Sequence, residues 1–527
     1  MNIVPSGQFD RASDALEPIT AIIAPPPTPN GDLHLGHLAG PYLWADVLLR
    51  YLRLRGRTCV SAISVDVNQT YVVTTAERSG DDPSELAARQ YRNIRATLRA
   101  ANIRFDVVGM PDAAYAAYVQ DWFTRLHAGG VFKAVEMQTP YSPRRRRFLF
   151  EAYASGRCPT CLSATKGNIC EACGHPNDAS RLFDLHATGG QPGEPLEMRR
   201  HSGVVLELEH WRRELTDHLL GLPELRPNLR RLIDELLAEP LPAFPITFRS
   251  KWGIPAPFPN CEGSVLNVWA EMVPGHYYWL DRAHAAELPL VGGTAPVHYI
   301  QCLGFDNSFF YTCAHLALAF AARAVGAPAL IPSAIVTNEF YQLDNFKFSS
   351  SQRHAIWGRD FLKEASVDEA RFYFAWSNPE AQQSNFSRRD YEAIVRKEFR
   401  EPLAELRKRL AHLPASPARA DEPDAMAVAL SKRFAAAYVP THPSLRLAAQ
   451  TLASGLSVAV ERARSAARRA DAASFVAALA AGAAPLVPAT ANSLWRAIGN
   501  SSSPTWPGDG PAAAPSSIDR PHAELVP

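Results

Sequence analysis

Residues 19 to 66 narrow what this chain can fold into more than any other stretch. "ITAIIAPPP" (Ile19 to Pro27) is a short apolar run halted by prolines, which reads as a buried strand. After the turn, "HLAGPYLWADVLLRYLRLRG" places apolar residues at helical spacing up to Gly56, and "TCVSAISVD" (Thr58 to Asp66) reads as the next strand. Strand, helix and strand over about 48 residues form a βαβ unit, which predicts a parallel sheet with ligands at the carboxyl ends of its strands. A proline-stiffened turn leading straight into a helix leaves N–H groups unpaired beside the positive end of a dipole, a setting suited to phosphate. His34 and His37 stand in and just past this turn, where imidazole N–H groups can donate to phosphate oxygens, and Gly36 permits a close approach. Taken alone, the stretch fits a proline-rich turn with incidental histidines at least as well.

Bulk properties set the surroundings. At 527 residues and 47% apolar content the chain can bury several cores, so a multidomain globular protein is expected. Lys plus Arg number 54 against 53 Asp plus Glu, which excludes a global positive field that would advertise nucleic-acid binding. No apolar run reaches the roughly 18 residues needed to cross a bilayer. Asp10, Asp14 and Glu17 fall where a signal peptide would be apolar, so a cytoplasmic protein without a membrane partner is expected.

Four of the eight cysteines lie close together in "CPTCLSATKGNICEACG", as Cys158-x2-Cys161-x8-Cys170-x2-Cys173. Each CxxC pair lets two thiolates reach one metal, and four cysteines make a closed tetrahedral set, so a structural zinc is expected. The remaining pattern is helical from Asp82 to about Gly130 and strand-like at Ser264 to Met272 and Ala295 to Asp306. A helix and the strand "ALIPSAIV" follow, and the chain is helical again from about Asp360. The piece from about Phe132 to Asn260 differs in character and reads as inserted. The organisation expected is an N-terminal tail (1–18), two halves of an α/β domain (19–131 and 261–359) split by a cysteine-bearing insertion (132–260), a helical domain (360–500) and a disordered tail (501–527).

"PTPNGDLHLGH" resembles the segment carrying the HIGH signature of class I aminoacyl-tRNA synthetases, and "NFKFSSSQRH" resembles their KMSKS loop about 310 residues later. A four-cysteine knuckle inserted between the halves of the nucleotide fold is similar to the methionyl-tRNA synthetase family. The lead-in "YSPRRRRFLFEAYASGRCPTC" shares that likeness. The resemblance implies a Rossmann-like catalytic domain followed by an α-helical bundle, ATP and Mg²⁺ as cofactors beside zinc, and attack of an amino-acid carboxylate on the α-phosphate of ATP. It implies that His34 and His37 hold phosphates and that Lys347 closes over the leaving pyrophosphate. Pro27, Asn30, Gly31, Gly36, Asp306, Ser349, Ser350 and Ser351 would complete the ATP site. Asp66 would hold the substrate α-ammonium, with Trp269 as an apolar wall.

The chain departs from the family at several positions. Ser350 replaces the second lysine of the loop, removing a cation for which Arg353 or a metal ion would have to compensate. The side-chain pocket falls on Pro26, Thr28, His276, Asn307 and Tyr311, changes of polarity that point to an amino acid more polar than methionine. A buried Asn307 would carry unmet hydrogen bonds against a thioether. Glu339 lies near the expected adenine site. In the helical domain Arg409 matches an anticodon-reading arginine, whereas Glu405 stands where the family uses an asparagine, so weak anticodon recognition of tRNA is expected. The function implied is that of a monomeric, methionine–tRNA ligase-like enzyme of protein biosynthesis. The alternatives are a biosynthetic amide ligase that passes the acyl group to a small amine or carrier protein, and an inactive pseudoenzyme.

Overall fold

The structure is a computed structural model of the full chain, and it describes residues 18–191, 193–286, 288–347, 355–412, 424–464 and 469–506. Of the expected tails 1–18 and 501–527, residues 1–17 and 507–527 lie outside the described residues, as do Ser349, Ser350, Ser351 and Arg353. Residues 501–506 are described, and Trp506 is buried with its indole edge-on to Tyr51, so this part of the expected tail joins the core.

The βαβ unit folds as the pattern predicts. Strand Ile19–Ile23 and strand Cys59–Ser64 pair in parallel around helix Leu43–Leu54, and both strands are buried along almost their whole length. Strand Val107–Gly109 extends the sheet on one side; Val297–Gly304 and Pro332–Asn338 extend it on the other, all in parallel. Spatially the order is 332–338, 297–304, 19–23, 59–64, 107–109. The chain therefore reverses its direction of travel between Ile19–Ile23 and Val297–Gly304, and the carboxyl ends of those two strands frame the crevice where such sheets bind ligands.

Two sequence expectations need correction. The stretch from Asp82 to Gly130 is not continuously helical: helices Pro83–Ala100 and Ala113–Ala128 flank the strand Val107–Gly109, which at three residues is too short to display a period of two. Ser264 to Met272 is not one strand either. It pairs only over Ser264–Leu266; the Asn267 side chain then accepts from the Trp269 N–H and starts the helix Val268–His284.

Between the third and fourth parallel strands the chain builds an antiparallel sheet dominated by Lys133–Ser142 against Glu197–Glu207. The four cysteines fall in the loops between the strands of a second small sheet, 164–166, 154–157 and 183–187, and two helices follow, Arg212–Gly221 and Pro227–Ala238. Beyond Pro332–Asn338 come a small sheet (346–347, 341–343 and 384–386) and then helices from Gly358–Glu364 to Pro488–Ala497. Among the described residues no helix is long and apolar enough to cross a membrane.

The helical part is not a separate body. One apolar cluster runs from Ile22 and Trp44 in the nucleotide fold through Phe372, Phe374 and Phe399 to Leu494 and Trp506. Arg371, 1% exposed, pins the junction: it donates to Asp46 at 2.6 Å and to the carbonyls of Pro485, Leu486 and Asn102. Burial pushes the Asp46 carboxyl up, but Arg50 and Arg371 outweigh it and hold the group below its ordinary range.

Candidate active site and cysteine cluster

The turn after the first strand is fastened at both ends. Tyr42 Oη donates to Pro25 O at 3.2 Å and Asp66 N donates to Pro27 O at 3.1 Å, so the backbone around Pro26, Pro27 and Thr28 is held over the sheet edge. His34 caps the short helical turn Leu35–His37: its Nδ1 accepts from Gly36 N at 3.1 Å, while His37 Nδ1 accepts from His34 N at 3.2 Å. A neutral imidazole whose Nδ1 accepts carries its proton on Nε2, so both half-buried rings present Nε2–H donors. The rings stack with centroids 3.8 Å apart. Asn30 and Gly31 are half-buried in the same turn.

The segment that follows the second signature is stitched to this turn. Leu35 N donates to Ile356 O at 3.1 Å, Gly358 N donates to Leu33 O at 2.8 Å, and Arg359 reaches Asp32 at 3.0 Å. Asp32 also accepts from Thr97 at 2.7 Å. A Cβ on Gly358 would lie 2.5 Å from a Leu38 methyl and 3.2 Å from the Leu33 carbonyl oxygen, so the close approach depends on glycine. The backbone of Lys347 pairs with Gln342 at the entrance to that loop. Across the switch point Asp306 follows Val297–Gly304.

Asp66 stands two residues beyond Cys59–Ser64, 5% exposed, and its Oδ2 has no hydrogen-bond partner. It lines a small cavity with Pro26, Tyr115, Glu271 and His276. Glu271 is 3% exposed; both its oxygens accept from Asn68 Nδ2 at 2.9 Å, and Oε1 accepts from Tyr115 Oη at 3.1 Å. Glu151, 2% exposed, accepts from the N–H and hydroxyl of Thr70. Burial raises Glu151 and Glu271 to about 7 and drives Asp66 the same way, helped by the charges of Glu271 and Glu151.

A second cavity shares the His276 wall and adds Tyr311, His315 and Gln301. His276 Nε2 lies 3.0 Å from Tyr311 Oη, and burial together with the neighbouring His315 depresses His276 to about 3, so its ring is neutral. Trp269 lies flat on Phe310, centroids 3.8 Å apart, and lines neither cavity. Thr28 and Asn307 also stay outside them. Asn307 does not carry the unmet hydrogen bonds expected of it: it is half-buried and donates to Asp306 Oδ1 at 3.0 Å. Glu339 turns toward the insertion, where Asn228, Arg231 and Arg226 counter the upward push of burial on its carboxyl. Arg409 is ion-paired with Glu405 one turn earlier on helix Glu401–Ala411.

The sequence reading missed Asp32, Tyr115, Glu151, Glu271, Gln301 and His315. Two of them carried a signal: His315 is four residues after Tyr311, one helical turn, and Glu271 lies in the first turn of a helix once Asn267 is seen as its cap.

The four cysteine sulfurs all lie within 4.8 Å of one another, with Cys158 and Cys173 at 3.8 Å and Cys161 and Cys170 at 3.5 Å. Tetrahedral zinc with bonds of about 2.3 Å requires sulfurs about 3.8 Å apart, so these residues fit the metal. Leu162 (φ 64°) and Gly174 (φ 78°) turn the chain back after each CxxC.

The comparison with known families is decisive at this point: the family described as "tRNA synthetases class I (M)" matches residues 20–411. The chain belongs to this class I synthetase family. A methionine–tRNA ligase of Rubrobacter xylanophilus is 30% identical over 390 residues, 70% of this chain and 66% of that one. One from Thermococcus onnurineus is 30% identical over 394 residues, 71% of this chain and 53% of that one. The chain thus spans less than two thirds of the length of these relatives. The Mycobacterium tuberculosis methionyl-tRNA synthetase bound by methionyl-adenylate shares the fold, with a TM-score of 0.68 at 17% identity, covering 93% of this chain and 99% of that one. In this class I synthetase the family match ends with helix Glu401–Ala411, whereas the apolar core continues to Trp506.

Proposed function

We propose that this class I synthetase activates an amino acid, methionine or a more polar analogue, with ATP and passes the acyl group to tRNA. A carboxylate oxygen of the amino acid attacks the α-phosphorus, the bond to the bridging oxygen breaks, and pyrophosphate leaves. A tRNA hydroxyl then attacks the acyl carbon and AMP departs. His34 and His37 donate from Nε2 to the phosphates, Gly36, Asn30 and Gly31 shape the turn around them, and Lys347 with the serines after it covers the pyrophosphate. Asp306 closes the nucleotide crevice from the other side. Mg²⁺ bound with the triphosphate would neutralise part of its charge. Cys158, Cys161, Cys170 and Cys173 would hold a zinc that shapes the insertion and takes no part in the reaction.

The observation that carries this reading is Asp66: a buried carboxylate oxygen without a partner, at the switch point and next to the two-histidine turn. An ammonium leaving water needs such a partner. The test is ATP–pyrophosphate exchange with each proteinogenic amino acid, followed by charging of tRNA. Exchange that Asp66→Asn abolishes supports the proposal, and no exchange with any amino acid overturns it. The Glu405–Arg409 ion pair favours a second reading, transfer to a small amine or carrier protein, because it ties up the arginine expected to meet RNA.

A further inference from the structure

The cavity beyond His276 is walled largely by apolar and aromatic groups, yet two acceptors in it are left over. His315 is 4% exposed, and burial lowers it to about 3, so its ring is neutral. Its Nε2 lies 2.7 Å from the carbonyl oxygen of Trp269, which can only accept; Nε2 therefore carries the proton and Nδ1 is a bare lone pair. That Nδ1 is buried and has no partner. Gln301, 4% exposed on the central strand Val297–Gly304, likewise has a buried side-chain oxygen with no partner. Two buried acceptors facing a thioether or an alkyl chain would stay unmet, which penalises such a ligand, whereas a donor pairs with them.

This cavity adjoins the ammonium site. His276 is common to the walls of both, so a ligand whose ammonium meets Asp66 directs its side chain past His276 toward Tyr311, His315 and Gln301. We infer that the amino acid this protein activates ends in a hydrogen-bond donor, a hydroxyl or a primary amide, and that His315 and Gln301 select it. This rests on the adenylate-forming reading above.

The experiment compares pyrophosphate exchange within pairs of equal side-chain length: 5-hydroxynorvaline against norleucine, homoserine against norvaline, and glutamine against methionine. The expected result is a kcat/KM about 10- to 100-fold higher for the donor-ended member of at least one pair. Gln301→Met and, separately, His315→Phe should bring that ratio to within about threefold of one while exchange with the apolar member persists. Thermal melting of each variant establishes that it is folded; if His315→Phe is not, Gln301→Met alone decides. Equal or better exchange with norleucine, norvaline and methionine overturns the inference and leaves the adenylate reading standing. A ratio unmoved in folded variants assigns the preference elsewhere and overturns the roles of His315 and Gln301. Absence of exchange with all six overturns the inference, and extending the panel to every proteinogenic amino acid then decides the parent reading.

Discussion

Asp66, Glu271 and Glu151 are three buried carboxyl groups whose direct partners, Asn68, Tyr115, Thr70 and Asn168, are all neutral. Native Glu151 and Glu271 hold protons up to about pH 7, where the unfolded chain has released them above about pH 4.5. The folded state therefore binds more protons across that window, and stability of the ligand-free protein falls as pH rises through it, by roughly 3 kcal/mol per group. Urea denaturation at pH 5 and pH 8 should show the loss, and Glu271→Gln should shrink it. A bound ammonium favours the ionised form, so KM for the amino acid should decrease between pH 6 and 8, a trend that a steady-state pH series would reveal or refute. His37→Ala should lower pyrophosphate exchange about 100-fold by removing an N–H aimed at developing charge. At this scale the position of Asp66 at the carboxyl edge of the sheet was legible, because it stands just past a buried strand. Glu271 was not: strand alternation and helical spacing agree over five residues of mixed polarity, so the cap at Asn267 went unseen.

Among the elements, the cysteine knuckle was readable outright, since doubled CxxC spacing leaves the thiolates little choice of partner. Removing zinc with a chelator, or Cys161→Ser, should open the sheet at residues 154–187 to amide hydrogen exchange while the parallel sheet stays protected. Uniform exposure of both would show that the insertion and the core unfold together. Arg371 could not be anticipated, because its five acceptors come from segments up to 325 residues away in the chain. Arg371→Met leaves four carbonyls and part of Asp46 without their donor, and a loss of about 3–5 kcal/mol is expected from the shift in urea midpoint. Helix Leu43–Leu54 was plain in the sequence, whereas Val107–Gly109 owes its strand conformation to Cys59–Ser64 beside it.

For the whole molecule, the parallel character of the sheet followed from a single βαβ unit, while the order of its strands and the depth to which the helical half merges with it did not. On the tRNA-transfer reading, that half is where the RNA would dock. With Arg409 neutralised by Glu405, tRNA binding should be weak, steeply salt-dependent and nearly indifferent to the anticodon, and Glu405→Asn should tighten it modestly. Charging assays on tRNA with native and altered anticodons at two salt concentrations test this, and a large loss on altering the anticodon would contradict it. The continuous apolar interior from Ile22 to Trp506 also governs how such a chain can change over generations. A module attached through a few polar contacts can be exchanged whole by recombination. Here a crossover near residue 411 would take the Pro485 and Leu486 carbonyls from the Arg371 guanidinium and bare Tyr51, which packs on Tyr438 and Trp506, so the first recombinant would be unfit. Inheritance can revise the outward faces of these helices only one substitution at a time, and a lineage that changes its acceptor must carry the whole helical half with it.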